Sequence, residues 1–341
     1  MRVEMNREEF LAKLEMVAPG LATKEAVQQS SCFVFQNDKV ITFNDELSCR
    51  IPCPLKGISG AVNALPLMSL LQKLVEDTIT LEIDKDTGQF MVRGKSGRKA
   101  GITREEVITL PIKSVEPPNK KKWKDLDPEF EEAVNIVQRC ASKDSNQFDL
   151  TCIHLTPTYA EACDNYQMAR YPVKTGVKSD CLIKRDSLRH IRGLGMNRVC
   201  ETESWIHYQN KEELILSTRI QKGDFQDLSK FLRPGGSPMT LPGGLAAALE
   251  KASIFSEANV ENDVVLVTLR SKQLIVRGEG PNGFFQEVKE ISYDGPSLEF
   301  TIDPVLLIEI TSQTNECYLE AGRMRVDGGG KFVYVTALGK V

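Results

Sequence analysis

The most regular feature of this chain is an apolar stripe with helical spacing that occurs three times along its 341 residues. Within each stripe the apolar positions follow i, i+4 and i+7, the period at which side chains share one face of an α-helix. The stripes are Phe10/Leu14/Val17, Phe130/Val134/Val137 and Leu245/Leu249/Ala252. Because they begin roughly a third of the chain apart, they predict three copies of one structural unit.

A second helix and several strands accompany each stripe. The second helices are predicted to begin near Ala64, Lys184 and Asp303. Short β-branched and aromatic segments between the helices predict strands, so each third is expected to be two helices packed on antiparallel sheet. The predicted fold class is α+β. The predicted domains are residues 1–118, 119–235 and 236–341, joined by linkers at 117–122 and 234–238.

Capping residues and charge add detail to the helices. Asn6 is the predicted N-cap of a helix over residues 6–18. In the middle third, Asp127 precedes a proline and predicts a helix over 127–141. The second helix of that third is predicted over 186–194 and is rich in arginine.

Bulk composition narrows the class of function. With 43 Lys and Arg against 47 Asp and Glu, the chain has a formal net charge of −4. This balance argues against a protein that holds nucleic acid by overall positive charge. No apolar run is long enough to span a bilayer and no signal peptide is evident, so we expect a cytoplasmic protein without a membrane partner. The nine cysteines are scattered and odd in number, which favours reduced, buried thiols over disulfides or a metal site.

No catalytic constellation and no cofactor site is predicted. Gly278 and Gly283 bound a segment with the glycine spacing of a dinucleotide fingerprint, but a strand follows where that motif requires a helix. A hairpin loop is therefore expected. His154, His190 and His207 are dispersed, with no paired carboxylate or cysteine expected nearby, and are predicted to be structural. An enzyme is the least favoured class.

Three stretches resemble the bacterial-type DNA sliding clamp, the β subunit of DNA polymerase III. They are residues 161–169, 223–234 and 334–341, similar in turn to the family's Ala-Thr-Asp-Gly-His-Arg-Leu-Ala segment, its Gly-x-Phe-Pro-Asp-Tyr segment and its C-terminal strand. The likeness runs over essentially the whole chain in the same order. It departs where the family's His-Arg, its Pro and its Met-Pro-Met are here Tyr166-Gln167, Gln226 and Ala337-Leu338-Gly339.

The resemblance implies a DNA-clamp fold in which two chains join head to tail as a homodimeric ring around duplex DNA. Such a ring is a processivity factor for DNA replication with no catalytic activity of its own. The implied partners are double-stranded DNA of any sequence, the replicative DNA polymerase, the clamp loader, and repair or replication proteins that carry a peptide motif. A ring is retained by topology, so weak phosphate contacts suffice despite the negative net charge.

Candidate DNA-binding residues come from the helical pattern and from the resemblance. Arg185, Arg189 and Arg192 fall at i, i+4 and i+7 of the arginine-rich helix and would share one face, either facing DNA or as an ordinary solvated face. By resemblance, further residues fall at DNA-contact positions of the family: Lys24, Lys143, Gln147 and Phe148.

The resemblance also implies a cleft for partner peptides and a seam between chains. The cleft residues would be Leu150, Cys163, Asn165, Tyr166, Gln167, Met168, Gln226, Lys230, Phe231, Val335, Thr336, Ala337 and Leu338. The seam would place a strand edge near residues 104–110, including Val107, against Ile254 and Phe255. The alternative function is a clamp-fold scaffold, paralogous or virus-encoded, which recruits replication or repair proteins through the cleft without encircling DNA.

Overall fold

The computed structural model describes residues 2–95, 97–118, 122–256, 264–320 and 322–340. Residues 119–121 of the first predicted linker lie outside this range. By contacts the chain forms two compact units. The first contains residues 1–131, 176–178 and 186–221, and the second contains 132–175, 179–185 and 222–341. The middle third of the sequence is thus divided between the two units, and the three-domain boundaries stay a prediction.

All six predicted helices are present. They are α1 (Arg7–Val17), α2 (Ala64–Lys73), α3 (Phe130–Val137), α4 (Arg185–Leu188), α5 (Leu245–Ser256) and α6 (Pro304–Gln313). Every residue of the three apolar stripes is at most 2% exposed, which confirms that the stripes are buried helix faces. The Asn6 side chain caps α1 by accepting a hydrogen bond from the Glu9 N–H at 3.0 Å. Within the described residues, no helix combines the length and apolar character needed to cross a membrane.

The helices of the middle third are shorter than predicted. α3 begins at Phe130, three residues after Asp127, whose carboxylate and carbonyl accept from the N–H groups of Glu129 and Phe130 in the turn before the helix. The predicted helix over 186–194 was wrong in length: α4 ends at Leu188, a 3₁₀ turn covers Arg189–Ile191, and Arg192 is extended. The expected arginine face therefore does not exist as a helical face.

Each third contributes two four-stranded antiparallel groups: a first-half group, and a second-half group that also includes the strand at the start of the third. In spatial order the first halves are β5-β2-β3-β4 (Gly60–Asn63, Cys32–Gln36, Lys39–Phe43, Leu47–Pro52), β14-β11-β12-β13 (Cys181–Lys184, Cys152–Leu155, Tyr159–Cys163, Gln167–Pro172) and β22-β19-β20-β21 (Leu298–Ile302, Val265–Arg270, Gln273–Gly280, Gly283–Glu290). The three groups have the same connectivity.

The second halves repeat in the same way. They are β1-β6-β7-β8 (Arg2–Asn6, Thr78–Ile83, Phe90–Arg93, Lys99–Ile102), β10-β15-β16-β17 (Lys124–Asp125, Arg198–Glu201, Trp205–Gln209, Ile215–Gln221) and β18-β23-β24-β25 (Ser237–Thr240, Glu316–Glu320, Arg323–Asp327, Val333–Ala337). Two short strands, β9 (Arg104–Glu105) and β26 (Gly339–Lys340), add to the edges at β5 and β22.

The thirds are linked by one kind of antiparallel strand pairing, which occurs twice and is called the joint below. In the first unit, β4 of the first third pairs with β17 of the middle third, from Ile215↔Arg50 to Thr218↔Leu47. In the second unit, β13 of the middle third pairs in the same way with β25 of the last third. In both joints, the last strand of a first-half group pairs with the last strand of a second-half group. Among the described strands, β21 and β8 are the equivalent strands that have no such partner.

The expected hairpin at the glycine-rich segment is confirmed. Gly280 pairs with Gly283, so Pro281 and Asn282 form the turn between β20 and β21. Gly278 is needed for another reason, because a Cβ there would lie 1.9 Å from the carbonyl oxygen of Ala252 on α5. The glycine allows a helix to lie directly on the strand.

The joint in the first unit buries a histidine. His207 on β16 is fully buried, with Nδ1 at 2.8 Å from the Ser217 hydroxyl on β17. Burial, with a smaller contribution from the charge of Arg50, lowers the pKa of His207 to about 3. The imidazole is therefore neutral in the folded protein at pH values where it would be protonated in the unfolded chain.

We expect His207 to weaken folding as the pH falls. An unfolded histidine has a pKa of about 6.5, so between pH 6.5 and 3 the unfolded state binds a proton that the folded state does not. Stability should fall through this window by roughly 1.4 kcal/mol per pH unit from this group alone. Urea unfolding from pH 7 to pH 4 tests this, with His207→Gln as the non-titrating control. Identical pH dependence in the two proteins would contradict the assignment.

Candidate functional site

The hairpin between β12 and β13 shapes one side of the predicted cleft. The Asp164 carboxylate accepts from the backbone N–H groups of Tyr166 (2.7 Å) and Gln167 (2.8 Å), which fixes the turn. Burial raises the pKa of Asp164, and these hydrogen bonds act in the opposite direction. Asn165 and Tyr166 lie exposed at the tip, and the tyrosine side chain is 71% exposed. The turn therefore displays an aromatic ring to solvent.

Strand β25 lies beside this hairpin and brings the C-terminal residues to it. Met168 pairs with Val335 and Gln167 with Thr336, and the Ala337 N–H donates to the Tyr166 carbonyl at 2.7 Å. Also on β25, the Tyr334 hydroxyl donates to the Gln167 amide oxygen at 3.0 Å. Burial raises the pKa of Tyr334 well above its usual value, so the phenol stays protonated and can donate.

Residues 223–232 form the opposite side. Phe225 stacks on His154 with ring centroids 4.9 Å apart, and Gln226 donates to the Cys163 sulfur at 2.9 Å. The Arg323 guanidinium donates to the Phe231 carbonyl at 2.5 Å. These contacts hold the segment while its outer side chains, Phe231 (41% exposed) and Lys230, remain accessible. The ammonium of Lys230 lies 4.8 Å from the centre of the Phe231 ring.

Leu150 and Leu338 complete the predicted set. Leu150 is partly buried, and its carbonyl accepts from the Ser142 N–H at 2.8 Å. Leu338 is 9% exposed and its N–H donates to the Gly322 carbonyl at 2.9 Å. All thirteen predicted cleft residues thus lie in the second unit, around the β12–β13 hairpin and β25. Their role in binding stays a prediction.

A neighbouring cavity of about 520 Å³ was not foreseen from the sequence. Its walls include Met239, Tyr293, Pro296, Leu298 and Leu319. Glu320 and Gly322 line this cavity and also contact residues of the predicted cleft. Glu320 binds the same Arg323 that holds Phe231, and Gly322 accepts from Leu338. No local motif signals this cavity, because its walls come from three separate segments of the chain.

The expectation that the histidines have no carboxylate partner was wrong for His154. Its Nδ1 lies 2.8 Å from the buried Glu161 carboxylate, whose other oxygen accepts from Arg170 Nε at 2.7 Å. Adjacent strands bring these residues together: His154 is opposite Glu161, and Glu161 is opposite Arg170. Because Phe225 stacks on the imidazole, the group supports the cleft segment.

The predicted DNA-binding residues lie on several elements. Arg189 and Arg192 are exposed, and Arg189 pairs with Asp186 at 3.5 Å. Arg185 is half-buried at the start of α4, and Lys24 is exposed in a loop. Lys143, Gln147 and Phe148 lie before and within the 3₁₀ turn Phe148–Thr151, where the Lys184 ammonium is 5.5 Å from the Phe148 ring centre. Five of the seven residues are basic, and all but Arg185 and Gln147 are exposed; their function stays a prediction.

The predicted seam residues include two strongly exposed apolar side chains, Val107 (72%) and Ile254 (67%), and the half-buried Phe255. The expected strand near 104–110 is limited to β9. After β9, the backbone is hydrogen-bonded to the Gln29 side chain. The Gln29 amide nitrogen donates to the Val107 carbonyl and its amide oxygen accepts from the Thr109 N–H, both at 2.8 Å. Among the described strands, β8 and β21 each have a partner on one side only.

The described residues offer no cluster of His, Cys, Asp or Glu that could hold a metal ion. All nine cysteines are free thiols, and eight of them are buried. Burial raises the pKa of Cys49 and Cys317 to about 12, so these thiols are poor nucleophiles.

Comparison with solved structures gives full-length likeness to bacterial DNA polymerase sliding clamps. The DNA polymerase III β chain of Streptococcus pneumoniae matches with a TM-score of 0.74 at 15% identity, covering 100% of both chains. The sliding clamp of Bacillus subtilis matches with 0.75 at 12% identity, covering 100% of this chain and 99% of that one. The clamp of Bartonella birtlesii bound to griselimycin matches with 0.76 at 16% identity, covering 100% of both.

These matches confirm the predicted fold class: the chain has the α+β sliding-clamp fold. No protein-family model and no curated protein sequence matches the chain.

Proposed function

We propose that this protein is a DNA sliding clamp, a homodimeric ring that encircles duplex DNA and tethers the replicative polymerase. The observation that carries the proposal is the full-length likeness to DNA polymerase III β chains together with the twice-used joint between thirds. On this proposal the protein is a cytoplasmic, non-catalytic processivity factor. A clamp loader would open it, and other replication or repair proteins would share its cleft.

The strand pairing at the two joints supports the proposal that a second copy of the chain closes the ring. β4 pairs with β17 and β13 pairs with β25, while β21 and β8, which occupy the same places in the repeat, are edges. Unpaired strand edges attract partners. Pairing β21 of one chain with β8 of another would satisfy both edges, and a twofold arrangement would use each chain's two edges once. The exposed side chains of Ile254 and Phe284 lie on α5 and β21 at that end of the repeat.

Charge placement suits a ring that slides. The helices carry few basic residues: α2 has Lys73, and α3 and α6 have none. Basic residues instead cluster at α4 and the turn that follows it. Sparse phosphate contacts without base contacts would let the protein pass any sequence.

The cleft suits a short extended peptide. Tyr166 and Phe231 are exposed aromatic side chains on its two sides, and the 520 Å³ cavity beside Glu320 and Gly322 offers a largely apolar recess. An aliphatic or aromatic anchor could enter the recess while polar groups remain at the rim. The departures at Tyr166, Gln167 and Gln226 are part of this surface, so the preferred motif should differ from that of other clamps.

We expect Phe231→Ala to weaken binding of the C-terminal peptide of the replicative polymerase by roughly tenfold or more, since the variant removes an exposed anchor but keeps the backbone contact with Arg323. Isothermal titration calorimetry would measure this. Val305→Ala, which truncates an exposed apolar side chain on α6 in the same unit, is the control. Equal affinity of Phe231→Ala and the unaltered protein would place the peptide elsewhere.

A charge at the proposed seam should separate the chains. Ile254→Glu places a carboxylate on an exposed apolar site that would be buried on dimerisation, at a cost of several kcal/mol if it stays unpaired. Sedimentation should show a species near twice 38.0 kDa for the unaltered protein and 38.0 kDa for the variant. Leu65→Glu, equally exposed on α2, should remain a dimer. A monomeric unaltered protein, or a trimer, would contradict the proposed ring.

Replacing Arg185, Arg189 and Arg192 together by Ala should weaken the interaction with duplex DNA without changing the oligomeric state. Each lost phosphate contact reduces the slope of log K against log salt by about 0.9, so the slope should fall by up to about three. Fluorescence anisotropy over a salt series measures it. Replacing the exposed lysines Lys56, Lys85 and Lys211 by Ala gives a charge-matched control. An unchanged slope in the arginine variant would count against these residues as DNA contacts.

A further inference from the structure

A cavity of about 410 Å³ in the first unit has no place in the proposed clamp function. It lies where β10 and β15 pair, at Lys124↔Val199, and where residues 176–178 close over them. Three lysines line it, together with an indole, an aliphatic side chain and a buried thiol: Lys122, Lys124, Lys178, Trp123, Val199 and Cys200. Such a mixture of cations and apolar wall is typical of a small-molecule site.

The segment that contains Gly176 packs closely against Val199 in the wall of the cavity. Gly176 has a positive φ of +79°, and a Cβ there would lie 2.2 Å from a Val199 methyl carbon. Only glycine lets this segment approach β15 so closely. The Lys178 backbone N–H then donates to the Glu201 carboxylate at 2.6 Å, which fixes the position of the third lysine.

The three ammonium groups are only partly neutralised. Among the described residues none of them has a hydrogen-bond or ion-pair partner, and three lysines against one carboxylate, Glu201, leave the lining with a formal net charge of +2. Burial raises the pKa of the Cys200 thiol, the charges of all three lysines lower it and that of Glu201 raises it, so these charges lie around the same thiol. Like charges gathered around one point repel each other unless an anion lies between them. The cavity is therefore electrostatically complementary to an anion.

The size and wall of the cavity indicate which anion. Its volume falls in the range that holds a drug-sized ligand, and an inorganic phosphate would leave most of it empty. Trp123 and Val199 offer apolar surface for an organic group beside the charge. We propose that this cavity binds a nucleotide, with its terminal phosphate held by Lys122, Lys124 and Lys178 and its nucleoside part against Trp123 and Val199. The site is independent of ring closure and of the peptide cleft.

A second cavity on the other side of Trp123 supplies the control. It has a volume of about 310 Å³, and Lys39, Arg50, Glu116 and Glu213 contribute to its lining. Its cations are balanced by carboxylates, and Arg50 already pairs with Glu116 at 3.2 Å. Lys39 is therefore a lysine near the same indole but outside the proposed site.

The test is calorimetric titration of the full chain with ADP at low ionic strength. We expect saturable binding at one site per chain, weakened about tenfold or more in Lys124→Gln/Lys178→Gln, because hydrogen bonds to charged groups are strong. Lys39→Gln should bind like the unaltered protein. Trp123 is one of only two tryptophans, and the other, Trp205, is buried, so ADP should change the fluorescence of the protein but not of Trp123→Phe.

Several outcomes would overturn the proposal. They are no ADP binding, equal weakening by Lys39→Gln, or ADP binding that the double lysine variant leaves unchanged. O-phosphoserine that binds as tightly as ADP would show that the nucleoside part contributes nothing, which also contradicts a nucleotide site. A short DNA duplex that binds with the same dependence on Lys124 and Lys178 would assign the lysines to the DNA backbone instead.

Discussion

The structure depends on one interaction: the backbone pairing that joins the last strand of a first-half sheet to the last strand of a second-half sheet. It occurs at β4–β17 and at β13–β25, and at both places the flanking side chains reinforce it. Arg219 binds Asp45 and lies over Trp205, while Tyr334 binds Gln167 across the second joint. Because each joint satisfies two rows of backbone hydrogen-bonding groups at once, a chain of three repeats necessarily ends with one unmatched strand of each kind. The proposed closure by a second copy would obey the same rule.

The cleft is a product of that joint. β25 meets β13 there, so Ala337 at the end of β25 lies against the 164–166 turn, and Arg323 on the neighbouring strand reaches the backbone of Phe231. A binding surface built on strand pairing is rigid where its backbone is hydrogen-bonded. Side chains such as Tyr166 and Gln226 are exposed on this surface, so they can differ without disturbing the strand pairing.

The sequence correctly predicted those structural features that depend on a local motif or on periodic spacing of residues. The buried stripes, the Asn6 cap and the 278–283 hairpin needed only helical spacing, one capping residue and turn chemistry. It failed at α4, where glycines at 193 and 195 with positive φ and a 3₁₀ turn end the helix, although the arginine spacing suggested it would continue. It also could not anticipate the His154–Glu161–Arg170 group or the 520 Å³ cavity, because both depend on strand register and on segments far apart in the chain. The cleft residues were placed by resemblance, which carries long-range information that local patterns lack.

The most direct test of a clamp is whether topology alone retains it. The protein would be allowed to thread onto a linear duplex, both DNA ends would then be blocked with streptavidin, and retention would be measured in high salt, which suppresses phosphate contacts. The account predicts that the protein stays on the blocked DNA and leaves when a restriction enzyme cuts it. Release in salt while both ends are blocked, or retention after the cut, would contradict it.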